Sequence, residues 1–78
     1  MLNDLSIGQR AKIIKVDANK DIKRRLLDMG FVKGTIVEKV LVSSSMVAYY
    51  IKGTVIALRK SDTKNIMVEE CNENWFSW

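Results

Sequence analysis

Apolar and polar positions alternate in short runs along most of the chain, and one helical period interrupts them. Arg10–Val16 places Ala11, Ile13, Ile14 and Val16 in a strand. Its alternation breaks at the Ile13-Ile14 pair, which predicts a bulge or a strand covered on both sides. Residues 35–42 are rich in β-branched side chains and predict a second strand, and Met46–Ile51, bulky on both parities, a third. Residues 54–60 set Ile56 and Leu58 on one side of a fourth, and residues 65–69 put Ile66 and Val68 on one face of a fifth. Between the first two strands, Ile22, Leu26 and Met29 recur at i, i+4 and i+7, the spacing of one helical face. This predicts a helix over residues 20–29, with Leu27 at the edge of its buried face and Lys23, Arg24 and Asp28 opposite. Asp21 can reach Arg25 one turn on. Asn19 suits the N-cap, Gly30 suits the left-handed residue that stops the helix, and Phe31 stands where a closing contact to Leu26 is expected.

Polar and glycine-containing turns separate these elements: Gly8-Gln9, Asp17-Ala18-Asn19, Lys33-Gly34, Ser43-Ser44-Ser45, Lys52-Gly53 and Ser61-Asp62-Thr63-Lys64, the last a loop able to hold a helical turn. Before them, Leu5 and Ile7 pin a lead-in segment to the core. Five short strands with one inserted helix predict a mainly β fold, a small, strongly bent antiparallel barrel. Closure would remove the exposed edges that a lone small sheet cannot hide. Residues 71–78 break the pattern: Trp75, Phe76 and Trp78 are three of the chain's six aromatics. Two readings of this tail are open, a fold back over the barrel end and a contact with another molecule, including a second copy.

Composition narrows the function classes. At 78 residues the chain makes one small domain, and 47% hydrophobic content suffices for a core. No apolar run approaches the ~18–20 residues that cross a bilayer, and Met1-Leu2-Asn3-Asp4 does not open a signal peptide. A cytoplasmic protein is expected. Histidine is absent and Cys71 is the single cysteine, so neither a self-contained transition-metal site nor a bound cofactor is expected. No phosphate loop, triad or metal spacing occurs, and the expectation is a binding module, not an enzyme. The net charge of +4 is uneven: residues 1–39 hold 9 basic and 5 acidic side chains, residues 40–78 hold 4 and 4. A basic helix-bearing half fits a solvated surface, or a face for an acidic protein partner, nucleic acid or an anionic membrane surface. Tyr49 and Tyr50 are not interleaved with a basic stripe, so nucleic acid is not the expected partner.

The run Arg24-Arg25-Leu26-Leu27-Asp28-Met29-Gly30-Phe31, followed by Gly34-Thr35, resembles the signature of the FeoA family of bacterial ferrous iron uptake. Leu5 with Gly8, the Ala11/Ile13 strand, Gly53 with Ile56-Ala57-Leu58-Arg59-Lys60, and Ile66 with Val68 extend the resemblance over about residues 2–69. It implies an SH3-like domain over residues 1–70, an inserted helix between the first two strands, and a non-enzymatic accessory to the FeoB membrane transporter. Docking would be on FeoB's cytosolic GTP-binding domain, so membrane association would be indirect. The candidate contact residues are Lys23, Arg24, Arg25, Asp28, Lys33 and Arg59, weighed against a merely solvated face. Leu26, Leu27 and Met29 are expected in the core, and Gly30, Gly34 and Gly53 in turns. Alternatives are an SH3-like module of a metal-dependent regulatory system and an RNA-binding module. Ser43-Ser44-Ser45-Met46 departs from the family's usual turn, and the tail lies outside its pattern, which leaves self-association through Trp75, Phe76 and Trp78 as a separate expectation.

Overall fold

The computed structural model describes residues 1–71, so the expected contacts of Trp75, Phe76 and Trp78 lie outside the described residues. A 3-10 turn (Leu2–Asp4) precedes β1 (Arg10–Val16), α1 (Lys20–Asp28), β2 (Ile36–Val42), β3 (Met46–Ile51), β4 (Thr54–Arg59), α2 (Lys60–Thr63) and β5 (Ile66–Glu70). The strands form one antiparallel sheet in the order β4-β3-β2-β1-β5.

The expected closed barrel is corrected here: β4 and β5 are the two edges, and among the described residues no ladder joins them. The chain leaves β4 directly into the single turn of α2, where the sequence predicts a loop able to hold a helical turn. Asn3 Nδ2 holds the Lys60 carbonyl at 3.0 Å, and the 3-10 turn packs on α2 and β5. Helical turns thus occupy the gap that a further ladder would have closed. Bulges bend the sheet between Ile13 and Lys15 and between Lys39 and Leu41. The first lies at the broken alternation and leaves Ile14 exposed.

The core lies on the inner face of the bent sheet. Ala11, Ile13 and Val16 of β1, Val37 of β2, Val47, Tyr49 and Ile51 of β3, Leu58 of β4 and Ile66 of β5 are buried there. Leu2, Leu5, Leu26 and Phe31 complete it, and the Phe31 ring meets Tyr49 edge-on, centroids 6.2 Å apart. The β3–β4 hairpin turns on Lys52 and Gly53 alone, both at positive φ (48° and 86°), which suits the right-handed twist of the strands it joins.

Both ends of α1 are capped by local chemistry. Asn19 Oδ1 accepts the Ile22 N–H at 3.0 Å. At the other end the Gly30 N–H donates to Leu27 O and the Phe31 N–H to Leu26 O, each at 3.0 Å. This paired closure needs a left-handed residue, and Gly30 has φ 103°. It turns the chain so that Phe31 enters the core directly after the helix. Leu26 is fully buried, while Ile22 and Met29 are half-buried against the core. Leu27 differs from expectation: it is 39% exposed. At about 100° per residue it lies roughly 140° from Ile22, outside the narrow stripe that the core covers.

Candidate partner-binding groove

The C-terminal half of α1 and the β4 edge leave an open groove of about 540 Å³ between them. Met29 from α1, Met46 from β3, and Ala57 and Leu58 from β4 give it apolar walls. Arg25, Asp28, Arg59 and Asp62 form its charged rim. The rim is organised on Asp62, which α2 places one turn beyond Arg59. Asp62 Oδ2 accepts from Arg59 Nε at 3.1 Å and lies 3.1 Å from Arg59 Nη2 and 4.0 Å from Arg25 Nη2. The Asp62 side chain is 13% exposed, whereas both arginines are about 60% exposed. Such pairs add little stability, but they hold two guanidinium groups at the mouth of an apolar cleft. Methionine suits the walls of such a cleft because its unbranched thioether chain can repack around different surfaces.

Of the six contact residues proposed from sequence, the structure brings Arg25, Asp28 and Arg59 together on this groove. Lys23 and Arg24 are exposed on α1, and Lys33 is exposed in the turn after it; none of the three lines the groove. Asp62, Met46, Ala57 and Leu58 were missed. The Arg59/Asp62 spacing of three is the ion-pair spacing of a helix, so the helical turn that this loop can hold is the signal that points to Asp62. At Gly30 a Cβ would meet Lys52 Cδ at 3.4 Å and Ile51 Cδ1 at 3.6 Å, ordinary contacts, so its left-handed backbone and not crowding calls for glycine. Gly34 lies in the turn that hydrogen-bonds back to β1, its N–H 2.7 Å from Ile13 O.

A second polar cluster sits away from the groove, under the N-terminal turn. Lys39 is buried and donates from Nζ to Asn3 O at 2.9 Å. Thr63 Oγ1 donates to Asn3 Oδ1 at 2.6 Å, and the Tyr49 hydroxyl lies 3.2 Å from Leu2 O. Burial lowers the Lys39 pKa, with Lys60 acting in the same sense and Asp4 opposing; burial raises that of the Tyr49 phenol. A lysine of lowered pKa can mark a catalytic base. Here its amine is spent on a main-chain carbonyl, and the cluster reads as a brace. Burial also raises the Cys71 thiol pKa, against the opposing pull of Lys12 and Arg10, which disfavours the nucleophilic thiolate. Among the described residues, no three of His, Cys, Asp and Glu gather where a metal ion could sit, and no helix is long and apolar enough to cross a membrane.

The groove thus belongs to a small bent sheet whose long sequence signature ends at Phe31. The family model for the FeoA domain matches residues 1–70. The chain belongs to the FeoA family. A Campylobacter jejuni protein named as a candidate Fe(2+) transport protein A is 33% identical over 69 residues, covering 86% of this chain and 93% of its own length. The FeoA-like protein of Clostridium acetobutylicum superposes with a TM-score of 0.81 at 31% identity, over 92% of this chain and 86% of that one. The zinc-complexed FeoA of Stenotrophomonas maltophilia, described as a prokaryotic SH3 domain protein, superposes with a TM-score of 0.73 at 31% identity, over 87% of each chain. The FeoA sheet seen here is therefore SH3-like in fold, though its edges stay open.

Proposed function

We propose that this protein is a non-enzymatic accessory of ferrous iron uptake that docks through the α1–β4 groove on the cytosolic GTP-binding domain of a FeoB-type transporter. The observation that carries the reading is the groove itself, with methionine-rich walls beneath a rim of Arg25, Asp28, Arg59 and Asp62, in a chain of the FeoA family. The relatives supply the process: the Campylobacter protein is named for Fe(2+) transport, and the Stenotrophomonas protein is described in terms of activating ferrous iron transport. Apolar walls with a charged rim are the anatomy of a protein-docking surface, where the centre supplies affinity and the rim supplies register and association rate. The protein works on the cytoplasmic side.

Binding of the isolated GTP-binding domain, measured by titration calorimetry, tests the assignment. Met46→Glu and Arg59→Glu weaken binding by about tenfold or more, equivalent to ~1.4 kcal/mol. Lys23→Glu and Arg24→Glu, off the groove, stay within about twofold of the parent. Wild-type affinity in both groove variants removes this surface from consideration, and the reverse pattern moves docking to the outer side of α1.

A further inference from the structure

The two edges of the sheet are guarded unequally. Along β5 the 3-10 turn packs close by, and Glu69 and Glu70 add charge. The β4 edge has no such guard. Its run Thr54-Val55-Ile56-Ala57-Leu58 holds no charge and no proline, and its register with β3 continues without a bulge. The direction of its unused hydrogen bonds follows from the hairpin. The Lys60 N–H donates to Ser45 O at 2.9 Å, and the two-residue turn closes on the Ile51/Thr54 pair. Antiparallel ladders alternate bonded and non-bonded pairs, so Thr54, Ile56 and Leu58 bond to β3. Val55, Ala57 and Arg59 therefore turn their N–H and C=O groups outward, and none of these groups has a hydrogen-bond partner among the described residues.

The groove wraps this edge. Met29 and Leu58 line it on the core side of β4, and Met46 and Ala57 on the outer side. A strand laid along β4 sends alternate side chains to these two sides. A free row of main-chain groups selects an extended peptide over a helix, whose own groups are already bonded. Charge then selects among extended peptides. At the Arg59 end, two guanidinium groups, each about 60% exposed, share the Asp62 carboxylate, whose side chain is 13% exposed. Asp28 stands three residues beyond Arg25 on α1. An acidic side chain on the incoming segment is the match for Arg59. A second copy of β4 supplies none in any register, because residues 54–59 include neither Asp nor Glu.

We propose that the groove takes an extended segment of the transporter's GTP-binding domain as a sixth strand beside β4. The segment sets an acidic residue across from Arg59 and apolar residues across from Ala57 and Val55. These three positions of β4 span about 14 Å, so about five residues of partner chain suffice. The inference rests on the docking reading and specifies how the contact is made: main-chain bonds supply affinity and Arg59 fixes the register.

Amide hydrogen exchange tests it, followed residue by residue by NMR in the free chain and in its complex with the isolated GTP-binding domain. In the free chain Ile56 and Leu58 exchange slowly, and Val55, Ala57 and Arg59 quickly. In the complex the latter three slow by about tenfold or more. Ala57→Pro deletes one outward N–H and leaves every bond to β3 in place, a substitution that an edge strand tolerates. The folded variant binds the domain at least about tenfold more weakly. If the variant does not fold, the exchange measurement alone decides. Binding without slowed exchange at the three amides overturns strand addition and leaves groove docking standing, as does unchanged binding by folded Ala57→Pro. Absence of binding by the parent overturns both readings. Slow exchange at the three amides in the free chain also overturns strand addition, and its growth with protein concentration assigns the edge to a second copy.

Discussion

Two parts of this small domain solve the same problem in opposite ways. Under the N-terminal turn, Asn3, Lys39, Tyr49 and Thr63 bring polar atoms into the interior and give them partners within the chain. Among the described residues no buried side-chain nitrogen or oxygen lacks one. Along the groove, Arg25, Asp28 and Arg59 stay in water, and among the described residues Met46 and the outer part of Met29 keep apolar surface open. The first arrangement closes the gap between the sheet edges and adds rigidity; the second keeps a surface free for something else. Substitutions at the closed end should therefore act on folding, and those at the groove on association.

The largest effect is expected in the core that both parts share. Phe31 is fully buried and stacks edge-on against Tyr49. Phe31→Ala should cost about 3–5 kcal/mol in urea unfolding, a large share of the stability of so small a domain. A loss below about 1 kcal/mol would mean that the helix exit is not anchored in the core. The comparison itself is broken or sharpened by Asn3→Ala and Arg59→Ala measured side by side. Asn3→Ala strips Thr63 Oγ1 and Lys60 O of a partner and should cost about 1–3 kcal/mol. Arg59→Ala removes an exposed ion pair and should change stability by no more than about 0.5 kcal/mol. Equal costs at the two sites would erase the distinction between a brace and a docking rim.

The elements were legible in the sequence because each carries its own local signal. Asn19, Gly30 and Phe31 bracket α1 with cap chemistry that needs no tertiary context, and the Ile13-Ile14 break marks a bulge that the register confirms. Sheet closure was not legible. It turned on whether β4 continues or coils into α2, and the Lys60 carbonyl at that point is held by Asn3, far away in sequence. Lys39 was likewise opaque, since a lysine on β2 reads as a solvated position until the N-terminal turn covers it. Arg25, Asp28 and Arg59 could be named as candidates from charge and resemblance. Their convergence with Met46 and Asp62 depends on how α1 lies against the β4 edge, which periodicity cannot supply.

The last effect, well below that of Phe31, concerns Tyr49, where the sign of the pH dependence separates the brace from a merely apolar packing site. Burial, with Asp4 adding to it, raises the folded-state pKa of this phenol above its ordinary value near 10. The folded chain therefore keeps a proton that the unfolded chain releases, and the associated stability is complete below about pH 10 and lost above it. Lys39 acts in the other sense. Its folded-state pKa is lowered, so stability rises with pH as the folded amine loses its proton, up to the ordinary lysine value near 10.4. Tyr49→Phe should cost about 1 kcal/mol at pH 7 through the lost hydrogen bond to Leu2 O. It should then close on the parent as pH passes about 10, because the variant has no phenol to titrate, with a limiting slope of ~1.4 kcal/mol per unit. Urea unfolding of both proteins between about pH 7 and 11 measures the difference directly and cancels every other titrating group. A gap that stays constant across that range would mean that the Tyr49 hydroxyl is hydrated in the folded protein and that the brace is looser than its 3.2 Å contact indicates.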